Sequence, residues 1–206
     1  MLRLATLLLT GVLISIGTLV AVVNVGNLAP KIERDENLKE RLQYLKNQQS
    51  SKNTDEQIAD LEWQLNNLSA AEKIWYDRWM DMTANWKTAQ HKDFCLVAQN
   101  LAATYTDHGN FNEAEKIYQV VIDYDKRLHG KKSAEVARDY NNLALCLYLK
   151  GTALNSNEQR KQQFQDAIKH IEESNLLWNE LRTRQSAINV ENNNKLLKLV
   201  QRDIAG

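Results

Sequence analysis

Proline is almost absent from this chain, with one in 206 residues, and glycine is scarce at seven. That scarcity excludes collagen-like, low-complexity and loop-rich all-β chains, which depend on both residues to turn. Neither sign of charge prevails, because 26 Lys and Arg balance 26 Asp and Glu. The chain lacks the basic bias of a nucleic-acid binder, so no nucleic-acid partner is expected. Only Cys95 and Cys146 are present, both within apolar, helix-forming text, and they read as buried free thiols. The four histidines (His91, His108, His129, His170) stand apart without metal-ligand spacing. No G-x-S-x-G, Walker or G-x-G-x-x-G motif occurs, and pairs such as Asp77/Asp81 and Glu172/Glu173 sit among Lys and Arg as solvated helix faces do. No enzymatic activity, metal or cofactor is expected. What is abundant is Ala, Leu, Asn, Gln, Glu and Lys, a vocabulary that predicts an all-α fold.

One long apolar run opens the chain. From Leu4 to Val25 there are 22 residues without a charge. At about 1.5 Å per residue a helix of that length crosses a hydrocarbon core about 30 Å thick. Residues 1–30 are therefore expected to form an uncleaved transmembrane signal-anchor, making a single-pass membrane protein. The competing reading is a cleaved signal peptide on an exported protein. Against it, the small-residue candidate Asn27-Leu28-Ala29 is followed by Pro30, and Asn24-Val25-Gly26 matches a cleavage site weakly. Arg3 lies on one flank and Lys31, Arg34, Lys39 and Arg41 on the other, interleaved with acids, which leaves sidedness open. Beyond the anchor, Leu38, Leu42 and Leu45 make residues 31–53 an amphipathic helical linker that packs on the first repeat of the domain that follows or forms a short coiled coil.

The remainder, 54–206, repeats itself. Asn100-Leu101-Ala102 recurs 42 positions later as Asn142-Leu143-Ala144, and Gly109 recurs as Gly151. Gly109, Gly130 and Gly151 are spaced 21 and 21 apart, the rhythm of helices closed by glycine turns. Phe111-Asn112-Glu113-Ala114 with Tyr118 is echoed by Phe164-Gln165-Asp166-Ala167 with Ile171, delayed by eleven polar residues that lengthen a helix or add a solvated turn. Upstream, Ala71-Glu72-Lys73-Ile74-Trp75 matches Ala114-Glu115-Lys116-Ile117-Tyr118. This makes Ile58-Ala59 the start of a degenerate first unit, capped by Thr54 to Gln57. Leu101 and Leu143 are expected between antiparallel helices, with alanines where backbones pass close and aromatic rings filling the remaining volume. Trp75, Trp79 and Trp86 are expected to form a packed stripe in preference to a ligand box, with part of it open to a bilayer or a membrane partner. The predicted units are a degenerate repeat at 54–87, repeats at 92–129 and 134–182, and a closing helix at 185–204 that uses Ile188, Leu196, Leu197, Leu199, Val200 and Ile204.

These residues resemble the tetratricopeptide repeat, and the 42-residue spacing with Leu128-His129-Gly130 and Asn141-Asn142-Leu143-Ala144 is similar to the kinesin light chain variety. The resemblance covers about Phe94 to Leu181. The closing proline of the family's second helix is missing, and Leu147 replaces an aromatic of its first. The resemblance implies an α-solenoid whose inner wall is lined by the first helix of each pair. Gln99, Asn100, Ala103 and Thr106 fall on the exposed side of one such helix, and Arg138, Asn141, Asn142, Leu145 and Tyr148 on the next. Asparagine there implies a grip on the backbone of a ligand peptide; the alternative is that Asn100 and Asn142 bond to neighbouring helices. The expected function is a membrane-anchored, non-enzymatic interaction scaffold or assembly factor that holds a protein segment or a membrane-complex subunit. The rival is a structural subunit, or a homo-oligomer packing through its convex face.

Overall fold

The computed structural model of the protein describes residues 28–84 and 91–205. They form eight helices in chain order: α1 (Leu28–Lys46), α2 (Lys52–Gln64), α3 (Leu68–Ala84), α4 (His91–His108), α5 (Phe111–Leu128), α6 (Ala134–Ala153), α7 (Asn157–Leu181) and α8 (Arg184–Ala205). The fold is all-α. The chain divides into two compact units, one ending at His108 and the other beginning at Gly109. Within each, helices that are neighbours in sequence pack together, the arrangement of a helical repeat.

In the first unit, α1 packs against α2, with Leu42 as its buried apolar residue. Lys46 Nζ reaches the nearly inaccessible Glu62 carboxylate at 2.6 Å, and Asn67 Nδ2 donates to its other oxygen at 2.8 Å, so a charge 3% exposed is satisfied on both sides. The sequence places a cap at Thr54; the structure starts α2 earlier, with Ser51 Oγ accepting from Thr54 N at 3.2 Å. Ser51 wins because it immediately precedes the first helical residue in an extended conformation, which turns its hydroxyl back onto the Thr54 N–H. The α2–α3 turn has no glycine, and Asn66 takes the left-handed conformation at φ 63°. Asn67 N donates to Glu62 O and Asn66 N to Trp63 O, at 2.8 and 2.9 Å, which closes the last carbonyls of α2. The antiparallel α3–α4 pair is set by Trp79 on Phe94, ring centroids 4.8 Å apart, and by Glu72 opposite His108. Trp75 is 2% exposed and lies in the core; Trp86 lies outside the described residues. Trp63 Nε1 donates to Asp107 Oδ2 at 2.7 Å, tying α2 to α4. Burial holds the Asp107 carboxyl above the usual range against that hydrogen bond.

In the second unit, α5, α6, α7 and α8 follow one another antiparallel, with α6 also touching α8. Leu143 is 1% exposed in α6 and Leu101 1% in α4, while Ala59, Ala71, Ala102, Ala114, Ala144 and Ala167 are fully covered. Alanine at those places removes the side-chain volume that would hold backbones apart. Gly109 and Gly130 follow α4 and α5 at φ of 85° and 87°, where an L side chain is strained. Gly151 departs from the expected rhythm: it lies inside α6, and a Cβ there would stand 2.6 Å from Phe164 Cε1. It is a close-approach glycine, not a turn. Because α6 runs on to Ala153 and α7 begins at Asn157, capped by Ser156, the eleven inserted residues lengthen both helices around a short turn. On α8, Leu196 and Val200 are buried as expected, but Ile188 is 45% exposed. The buried row is Ser186, Asn189, Asn193, Leu196 and Val200, so polar residues fill the seam that the sequence assigns to Ile188.

One expectation is overturned. Among the described residues no helix is long and apolar enough to cross a membrane, and the expected single-pass anchor is not borne out. The apolar run behind that expectation, residues 4–25, lies outside the described residues. α1 opens at Leu28 and its text from Lys31 onward is dense in charge, too polar for hydrocarbon.

Candidate functional site

The residues singled out from the sequence fall into the two units. Gln99, Asn100, Ala103 and Thr106 belong to α4 in the first, and Arg138, Asn141, Asn142, Leu145 and Tyr148 to α6 in the second. Neither set forms the exposed face that the helical wheel suggests. Gln99 and Thr106 are buried, and Asn100 and Ala103 half-buried. Thr106 Oγ1 donates to Ala102 O at 2.8 Å, so its hydroxyl is used within its own helix.

On α6 the row is more informative. Arg138, Asn141, Asn142 and Leu145 stand three or four positions apart and therefore share a stripe. Arg138 and Leu145 are half-buried, whereas Asn141 and Asn142 are 2% and 4% exposed. Asn141 Oδ1 and Asn142 Nδ2 meet no hydrogen-bond partner among the described residues, and neither does Arg138 Nε. Leaving a buried amide group unpaired costs about 1–3 kcal/mol, and here an acceptor and a donor on successive residues both go unpaired. Tyr148, the last of the row, is committed elsewhere. Its hydroxyl donates to Asp203 Oδ2 on α8 at 2.8 Å, its ring tilts on Phe164 at 5.6 Å, and burial followed by that hydrogen bond pushes the phenol up to about 12.

A second polar arrangement escapes the sequence reading. Asn193 Nδ2 donates to Ser174 Oγ at 2.9 Å, and Ser174 Oγ donates to Ala137 O at 2.7 Å, linking α8 to α7 to α6 through fully covered atoms. The signal is present in the spacing of residues 186, 189, 193, 196 and 200, but polar residues in that register do not read as core. In the first unit, Ser69, Glu72, Lys73, Tyr76, Tyr105 and His108 line an open depression of about 270 Å³. His108 Nδ1 and Glu72 Oε2 meet there at 2.5 Å, and Lys73 is drawn off to Asp77. No group of three or more His, Cys, Asp or Glu among the described residues is placed to hold a metal ion. Cys95 and Cys146 are both buried and not joined in a disulfide.

No protein-family model matches the chain, and no curated protein does. Among solved structures it is similar to BtubC (BKLC) from P. vanneervenii, with a TM-score of 0.45 and 14% identity over 85% of this chain and 75% of that one.

Proposed function

We propose that the protein is a non-enzymatic, tetratricopeptide-like interaction module that holds an extended segment of a partner polypeptide on the α6 row. In this reading α2–α3 and α6–α7 are helix pairs of the repeat and α8 closes the last. The observation that carries it is the unpaired acceptor of Asn141 and donor of Asn142, covered groups that a segment reaches only when the side chains over them move aside. A peptide backbone offers the complementary donor and acceptor at every residue, whatever its side chains. Arg138 and Leu145, the half-buried members of the row, supply a cation for a carboxylate of the same segment and an apolar contact.

The test is selection from a displayed library of unbiased peptides on the full chain, followed by calorimetry of the best binder. Replacing Asn142 and Arg138 together by alanine is expected to weaken it by about tenfold or more with helicity unchanged, since each lost polar contact is worth about 1 kcal/mol. Equal affinity in the double variant would remove the α6 row from consideration. A chain that forms a constitutive oligomer and selects no peptide would favour self-packing instead.

A further inference from the structure

The neutral composition conceals a charge asymmetry in the second unit. Residues 126–133 (KRLHGKKS), at the turn after α5, and 182–185 (RTRQ), at the turn after α7, together hold six Lys or Arg and no carboxylate. The Lys132–Glu180 ion pair at 3.1 Å, and the packing of Ala134 and Leu181 on the Trp178 cluster, bring these two turns to the same end of the unit. The turn between α6 and α7, residues 154–156, has no charged residue at all.

Fold stability accounts for only part of this edge. Lys126 and Arg127 lie in the last turn of α5, where positive charge complements the helix dipole, and Lys126 also sits over the Tyr140 ring at 5.1 Å. Lys131 and Lys132, however, precede the N-cap of α6, and Arg184 opens α8, whose first turn contains no acid. Positive charge at a helix N-terminus opposes the dipole and costs stability. Arg127, Lys131, Arg182 and Arg184 are exposed and make no ion pair with any described residue. Leu128 stands among them, 49% exposed.

We propose that this edge is a second docking surface, distinct from the α6 row, and that it takes an acidic polypeptide segment bearing an apolar side chain. Carboxylates of the segment face Arg127, Lys131 and Arg184, and its apolar residue covers Leu128. A short basic edge on a chain of zero net charge suits an acidic peptide better than a nucleic acid, which is gripped by a broader basic field and has no use for an exposed leucine.

The experiment measures fluorescence anisotropy of a labelled Glu/Asp-rich peptide of about twelve residues with central leucines, against the full chain, at low and at physiological salt. Binding at low salt that weakens about tenfold in the Arg127→Glu, Lys131→Glu, Arg184→Glu triple variant is expected, with salt weakening the wild type in the same direction. Leu128→Ser should weaken binding without altering its salt dependence. Replacing Asn142 and Arg138 should leave it untouched, so the two surfaces fail separately. If the reversed chain loses helicity, Lys131→Gln with Arg184→Gln serves the same purpose. The proposal is overturned if the wild type does not bind the peptide at low salt, or if the helical charge variants bind it equally well. Tighter binding of a DNA duplex or of vesicles rich in anionic lipid would overturn it too.

Discussion

Gly151 and Phe164 divide a space too small for one more methyl group. An alanine at 151 would place Cβ 2.6 and 2.8 Å from two ring carbons, and the ring is 1% exposed, with Tyr148 tilted against it. Alanine gains about 1 kcal/mol of helix propensity over glycine, but overpacking a buried ring costs about 1–3 kcal/mol. Gly151→Ala is therefore expected to lower the urea midpoint, and Phe164→Leu in the same chain to recover part of the loss. The asparagine row behaves oppositely. Asn142→Leu removes a buried unpaired donor at similar volume and should raise stability by about 1 kcal/mol at unchanged denaturant slope, while abolishing peptide capture. Tyr148 supplies a pH dependence. Its phenol titrates near 12 when folded and at the ordinary 10.0 when unfolded, so the protonated form is favoured by the native state. Its contribution is complete below pH 10.0 and is lost as pH rises through about 12. Urea titrations on either side of that window should show wild type losing more stability than Tyr148→Phe; parallel losses would contradict the assignment.

At the scale of elements, the helices end by chemistry rather than by composition. Asn66 performs at φ 63° what glycine performs after α4 and α5. Asn66→Gly should be neutral or slightly stabilising, and Asn66→Ala should cost about 1 kcal/mol, read from thermal denaturation of the full chain. The Asn193–Ser174–Ala137 chain binds three helices at once. Ser174→Ala leaves a buried amide and a buried carbonyl short of a partner and should cost about 1–3 kcal/mol, while adding Asn193→Leu should restore much of it. These elements also mark how far the sequence is legible. Alanine at 59, 71, 102, 114, 144 and 167 is readable because its smallness means one thing, and all six are fully covered. Glycine is ambiguous, serving turns at 109 and 130 but close packing at 151, and spacing alone does not separate the two uses. Helical geometry finds the α6 row, yet not its burial. A wheel says which residues share a face, but the face that neighbours cover depends on contacts from distant parts of the chain.

For the molecule as a whole, protection is expected to be uneven. Twelve of the twenty residues of α6 are buried, whereas α1 buries Leu42 alone among its described side chains. Amide hydrogen exchange should accordingly be slowest in α6 and in the facing half of α7, and fastest in α1. Comparable rates in α1 and α6 would mean that burial is a poor guide to where this chain opens. The contact of Phe164 with Gly151 carries a practical corollary. It works as a clamp across α6 and α7, and nearly every residue past it, from Thr152 to Gln162, is surface. That exposed turn is a permissive graft point: a fluorophore or foreign epitope spliced in at Asn155, with the Ser156 cap of α7 and the Leu154 carbonyl that Arg160 holds left in place, would report on the protein from outside its packed interior.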